Sequence, residues 1–122
     1  MRDFFITTSK FYGRAGLKGF SQLMWILRTV NDGEPEKTFR ILAGGVRTLG
    51  RATGADFSVD GALVSRVHCR LIALPGGGLE VRDLDSTNGT FVNGKRVQTA
   101  QLESGDRLQI GRVELIALRD VD

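Results

Sequence analysis

An all-β, antiparallel β-sandwich is the fold class this sequence predicts, and three observations predict it. From Trp25 onward, apolar residues fall in short β-type runs with none of the spacing of an amphipathic helix. Turn chemistry separates these runs, as at Asn31-Asp32-Gly33, Gly44-Gly45, Gly76-Gly77-Gly78 and Ser104-Gly105-Asp106. No helix-length segment lies between them to serve as the crossover of a parallel sheet.

Nine strands are delineated by pattern. The first is 25–30, which stops at Asn31-Asp32-Gly33, and 38–42 follows, closed by Gly44-Gly45. Strands at 47–50 and 57–59 flank a glycine-containing stretch. The segment 67–73 sets Val67, Cys69, Leu71 and Ala73 against His68, Arg70 and Ile72, so the first set is expected on the core face and the second on the polar face. After Gly76-Gly77-Gly78 come 79–83 and 90–92, and the last pair is 107–110 and 113–118. Strand 90–92 lies between two Asn-Gly pairs, Asn88-Gly89 and Asn93-Gly94. Asn-Gly is the strongest short-range hairpin signal because both residues accept positive φ, so both pairs are expected to be hairpin turns. The first is preceded by Ser86 and Thr87, whose hydroxyls are expected at a loop tip suited to an anion.

Composition bounds the remaining classes. The 122 residues, 41% hydrophobic and 25% charged, suit one domain with a modest core. The net charge of +3 lies entirely in residues 1–23, where Arg2, Lys10, Arg14 and Lys18 stand against Asp3. The remainder is neutral and lacks the basic stripe of phosphate-backbone binding, so nucleic-acid binding by the main domain is not expected. Cys69 is the single cysteine, which excludes an internal disulfide and makes a reducing, cytoplasmic setting the expectation. The longest apolar run, 23–27, is far below the roughly 20 residues of a membrane span, and no cleavable signal is visible.

Residues 1–23 form an N-terminal aromatic-basic extension with Phe4, Phe5, Phe11, Tyr12 and Phe20 among isolated cations, and are read as outside a domain at 24–122. Two readings stay open for it: a tail, or a segment that touches a membrane surface, nucleic acid or a partner.

Three polar clusters stand at predicted strand ends: Gly50-Arg51, Ser65-Arg66-Val67-His68 and Ser86-Thr87-Asn88-Gly89. Together, and in this order, they resemble the forkhead-associated (FHA) domain, a phosphothreonine-binding β-sandwich related in fold to SMAD domains, with its binding loops at one end. The resemblance runs from about Trp25 to Leu118, and the late stretch from Leu102 through Gly105-Asp106 to Ile110-Gly111 fits it too. It implies eleven strands. It also implies that Arg51 pairs with the phosphate, Ser65 donates its hydroxyl to a phosphate oxygen, Thr87 stands close by and Arg66 adds a further contact. Asn88 would hold the peptide backbone, Leu63 would sit in the loop that reads the third residue after the phosphothreonine, and Gly50, His68 and Gly89 would be structural.

The chemistry is consistent with these roles. A phosphothreonine carries about −1.5 to −2 charge and three strong acceptor oxygens, which a guanidinium fork and hydroxyls satisfy. A carboxamide both donates and accepts, as an extended peptide backbone requires. The implied function is a phosphothreonine-peptide-binding interaction module that recruits a phosphorylated partner within a Ser/Thr kinase pathway. The alternative is a phosphate-independent interaction scaffold on the same sandwich.

Enzyme and metal readings fail on composition and spacing. Ser65, His68 and Asp83 lack a nucleophile elbow. One His and one Cys build no ordinary zinc site. In the stretch 83–94 a calcium loop would need its glycine one place earlier than Gly89 and a Glu where Gly94 stands. The glycines from Gly44 to Gly54 lack the Gly-Lys-Ser/Thr of a phosphate loop. Neither catalysis, nor a cofactor, nor a metal is expected.

Overall fold

The computed structural model describes residues 23–30 and 36–121, and among these it contains eleven strands and no helix. In chain order they are β1 (Leu23–Thr29), β2 (Thr38–Leu42), β3 (Val46–Gly50), β4 (Phe57–Ser58), β5 (Cys69–Ala73), β6 (Leu79–Asp83), β7 (Thr90–Val92), β8 (Lys95–Val97), β9 (Thr99–Leu102), β10 (Arg107–Ile110) and β11 (Val113–Val121). One sheet has the order β2-β1-β11-β10-β7-β8 and the other β4-β3-β5-β6-β9. All pairings are antiparallel except β3 with β4, where Leu49 stands beside Phe57 in a parallel register.

The core is the layer between the sheets. The alternation of β1 places Trp25 and Leu27 inward and that of β11 does the same for Leu115 and Ala117. From the facing sheet, Leu49, Leu71, Leu79 and Val81 close the layer. The Trp25 indole donates to the Gly77 carbonyl at 3.0 Å, which satisfies its one polar atom inside the core. The Phe39 and Phe57 rings stack with centroids 4.8 Å apart, tying the β2 side of one sheet to β4 of the other.

Several expectations are corrected. Strands β8 and β9 were missed by pattern, while the eleven implied by the family resemblance are present. β5 starts at Cys69, two residues later than expected, because 65–67 is loop. Val67 is therefore 44% exposed, and His68, expected on a polar face, is fully buried. Asn93-Gly94 is the predicted hairpin turn: both residues have positive φ and Val92 pairs with Lys95. Asn88-Gly89 is not a hairpin turn. β6 and β7 belong to different sheets, so this pair lies in the connection between them, and of the two only Gly89 has positive φ. The expectation for residues 1–23 falls outside the described residues except at Leu23, which opens β1.

That connection from β6 to β7, with those from β3 to β4 and from β4 to β5, gathers the predicted site residues.

Candidate functional site

β3 ends at Gly50, and the chain there runs tight against the β4–β5 connection. A Cβ on Gly50 would collide with the Arg66 carbonyl oxygen and lie 2.9 Å from the Val67 Cα, so glycine is required by space alone. Two backbone bonds lock the crossing: Arg51 N–H donates to the Ser65 carbonyl at 3.0 Å and Ala52 N–H to that of Arg66 at 3.0 Å. Arg51 Nε then donates to the Val64 carbonyl at 3.1 Å. The remaining guanidinium nitrogens of Arg51 have no protein partner among the described residues, and neither does the side chain of Arg66.

Ser65 joins the second connection to the third. Its Oγ accepts the Thr87 N–H at 3.0 Å, which leaves the hydroxyl proton free to be donated outward. Its own N–H donates to His68 Nδ1 at 3.0 Å, and His68 Nε2 lies 2.8 Å from the Gly89 carbonyl. Since Nδ1 accepts, the ring proton sits on Nε2 and is donated to Gly89, so both ring nitrogens are satisfied in a fully buried side chain. The hydroxyl of Ser65 is not the group that meets the ring. No serine–histidine nucleophile pair exists here.

Asp83 organises the third connection from beneath. Its Oδ1 accepts the hydroxyls of Ser86 at 2.5 Å and Thr90 at 2.6 Å, and its Oδ2 accepts the Ser86 N–H at 3.1 Å. Burial pushes the Asp83 carboxyl up. The hydrogen bonds from Ser86 and Thr90 outweigh burial and hold it below the ordinary carboxylate value. Ser86 Oγ in turn accepts the Gly89 N–H at 2.9 Å. The Ser86 hydroxyl, expected at the loop tip, is thus turned inward as a brace, and Thr87 alone of that pair is exposed.

Asn88 is exposed and its Nδ2 donates to the Leu63 carbonyl at 3.1 Å, which leaves its Oδ1 without a protein partner among the described residues. Leu63 has a φ of 68° and is 51% exposed. That is an uncommon backbone for a leucine and an unusual exposure for an apolar side chain.

The five residues expected to bind, Arg51, Ser65, Arg66, Thr87 and Asn88, line one open concavity of about 370 Å³ together with Leu63 and Val64. Among the described residues, no carboxylate lines it. Two guanidinium groups and two hydroxyls in one water-facing cup can donate hydrogen bonds to an anion, and half a carboxamide beside them can accept one. Sequence reasoning missed Asp83 and Ser86 as braces, although Asp-x-x-Ser is local turn chemistry. It also missed the Val64 carbonyl that orients Arg51, for which the sequence carries no signal.

Comparison with known proteins agrees with this architecture. The family model of the FHA domain matches residues 47–111. Over 73 residues, 60% of this chain, the sequence is 48% identical to the ABC transporter ATP-binding/permease protein Rv1747 of Mycobacterium tuberculosis, of which the match covers 8%. Over 106 residues, 87% of this chain, it is 36% identical to the glycogen accumulation regulator GarA of Mycolicibacterium smegmatis, covering 64% of that protein. The chain thus spans less than two thirds of the length of either. Among solved structures, one described in a structural and functional analysis of phosphothreonine-dependent FHA domain interactions is similar with a TM-score of 0.67. It shares 33% identity and covers 80% of this chain and 95% of its own.

Proposed function

This chain belongs to the FHA domain family, and from that premise we propose that its cup binds phosphothreonine in an extended peptide and so recruits a phosphorylated partner protein. The observation that carries this is the convergence of Arg51, Arg66, Ser65, Thr87 and Asn88 on one concavity that no carboxylate lines among the described residues. Arg51 is held by Val64 with its outer nitrogens free, and with Arg66 it supplies the charge for a dianionic ester. The hydroxyls of Ser65 and Thr87 donate to the remaining phosphate oxygens. Asn88, anchored through Nδ2 on Leu63, offers Oδ1 to a peptide N–H beside the phosphothreonine. Leu63 presents an apolar contact to residues that follow it.

The module is non-catalytic in this reading and works downstream of a Ser/Thr kinase. Its described part opens at Leu23, the first residue of β1. The buried free thiol of Cys69 supports a reducing, cytoplasmic setting.

A peptide panel tests the function. One extended sequence is titrated with threonine, phosphothreonine, phosphoserine or aspartate at the central position, each at two salt concentrations. Phosphothreonine is expected to bind, with phosphoserine weaker by about fivefold because one methyl contact is lost. Threonine and aspartate are expected not to bind measurably, and affinity should fall as salt screens the cup. Equal binding of the threonine and phosphothreonine forms would instead establish a phosphate-independent scaffold.

A further inference from the structure

The turn between β10 and β11, Gly111-Arg112, lines no part of the cup, yet it is seated against the segment 61–63 that does. Gly111 has a φ of +59°, and a Cβ there would lie 2.6 Å from both the Ala62 carbonyl oxygen and the Leu63 carbonyl carbon and 2.8 Å from the Leu63 oxygen. Those are backbone atoms and have no rotamer by which to yield. In the opposite direction, a Cβ on Gly61 would collide with Cγ2 of Val113, the first residue of β11. Arg112 N–H donates to the Ala62 carbonyl at 3.2 Å, which closes the contact between the two missing side chains. Two glycines, one from each side, thus let the hairpin turn press directly on the backbone of Leu63.

Leu63 is where that pressure matters. Its backbone is held at a φ of 68°, its carbonyl is the anchor for Asn88 Nδ2, and its half-exposed side chain lies in the cup wall. We propose that the β10–β11 turn is a buttress that sets which peptides the cup accepts, with Gly111 and Gly61 as positioning residues acting through Leu63; this rests on the phosphopeptide reading above. A shift of Leu63 moves the carboxamide that holds the peptide backbone and the apolar contact for the residues beyond the phosphothreonine. The Arg51 N–H is tied to Ser65, and Ser65 to His68, by bonds that do not pass through Leu63, so the phosphate subsite is left in place.

The test compares wild type with Gly111→Ala, Gly61→Ala and a control, Gly105→Ala. Gly105 also has a left-handed backbone, φ +99°, but open space where a Cβ would go, so it carries the conformational strain without the collision. Each protein is titrated with phosphothreonine peptides that differ only in the residues after the phosphothreonine, and with inorganic phosphate as competitor. Gly111→Ala and Gly61→Ala are expected to weaken peptide binding by about tenfold, the scale of one buried hydrogen bond, and to flatten the preference among peptides. Competition by inorganic phosphate is expected to stay at its wild-type strength. Gly105→Ala should lower the unfolding midpoint yet keep wild-type affinity and preference.

The proposal is overturned if the two buttress variants, folded, retain wild-type preference, or if the control loses affinity to the same degree. Should Gly111→Ala fail to fold, Gly61→Ala decides alone, since it adds no left-handed strain. If wild type binds no phosphopeptide, the function reading is what fails. The buttress is then judged by the Asn88 side-chain amide resonance, which must shift in the buttress variants and not in the control; an unmoved resonance overturns it.

Discussion

Replacing Arg51 by alanine will weaken binding of a phosphothreonine peptide by about two to three orders of magnitude, while the unfolding midpoint stays close to wild type. The asymmetry follows from where the side chain sits. Arg51 is exposed and its one side-chain bond among the described residues is to the Val64 carbonyl, at the rim, so little of the fold depends on it. Bound to a phosphate dianion, the guanidinium contributes charge-assisted hydrogen bonds whose removal strands charge on the ligand, a loss of about 3 to 4 kcal/mol. Lysine at the same place keeps the charge but not the fork or the Nε bond, and is expected to fall between wild type and alanine. Calorimetric titration of the three proteins with one phosphopeptide checks this. A loss under about threefold for alanine would move the anion away from Arg51.

His68→Ala has the opposite balance, with its largest effect on folding. The ring is fully buried and bonds both the Ser65 N–H and the Gly89 carbonyl, at 3.0 and 2.8 Å. Truncation leaves a part-buried donor and a buried acceptor unpaired beside a cavity, at a cost of about 3 to 5 kcal/mol. Urea unfolding at neutral pH reads that cost as a fall in midpoint. At low temperature, where the variant is still folded, peptide affinity should also drop by about tenfold, because Ser65 and the Thr87-Asn88 segment are no longer held in register. A stability loss with wild-type affinity in the folded fraction would make His68 a core residue with no part in assembling the cup.

How much of this was legible in the sequence depends on the physical range of each signal. The sandwich was readable because Leu49, Leu71, Val81, Leu108 and Leu115 sit in runs whose alternation or turn boundaries are local. β8 was not, since Lys95-Arg96-Val97 is a three-residue edge strand with two exposed cations, and β9 shows alternation at Ala100 and Leu102 alone. The residues gathered in the cup were named from their motifs, which carry both type and order. What holds them could not be: the partners of His68 and Asn88 are backbone carbonyls 21 and 25 residues away, and carbonyls carry no sequence identity. Asn88-Gly89 misled for a related reason. Asn-Gly marks a tight turn, and whether the flanking strands pair or change sheets is decided by packing.

The central claim is that an anion-bearing peptide docks where Arg51, Ser65, Thr87 and Asn88 meet. Its most direct test is titration of the isotopically labelled chain with a phosphothreonine peptide, followed by NMR at each amide and at the Arg51 Nε and Asn88 Nδ2 protons. The account predicts that the largest shifts fall on Arg51, Ser65, Arg66, Thr87 and Asn88, and that they vanish with the unphosphorylated peptide. Shifts centred instead on the outward face of either sheet, at Arg70 and Arg82 or at Ile26 and Leu118, would contradict it.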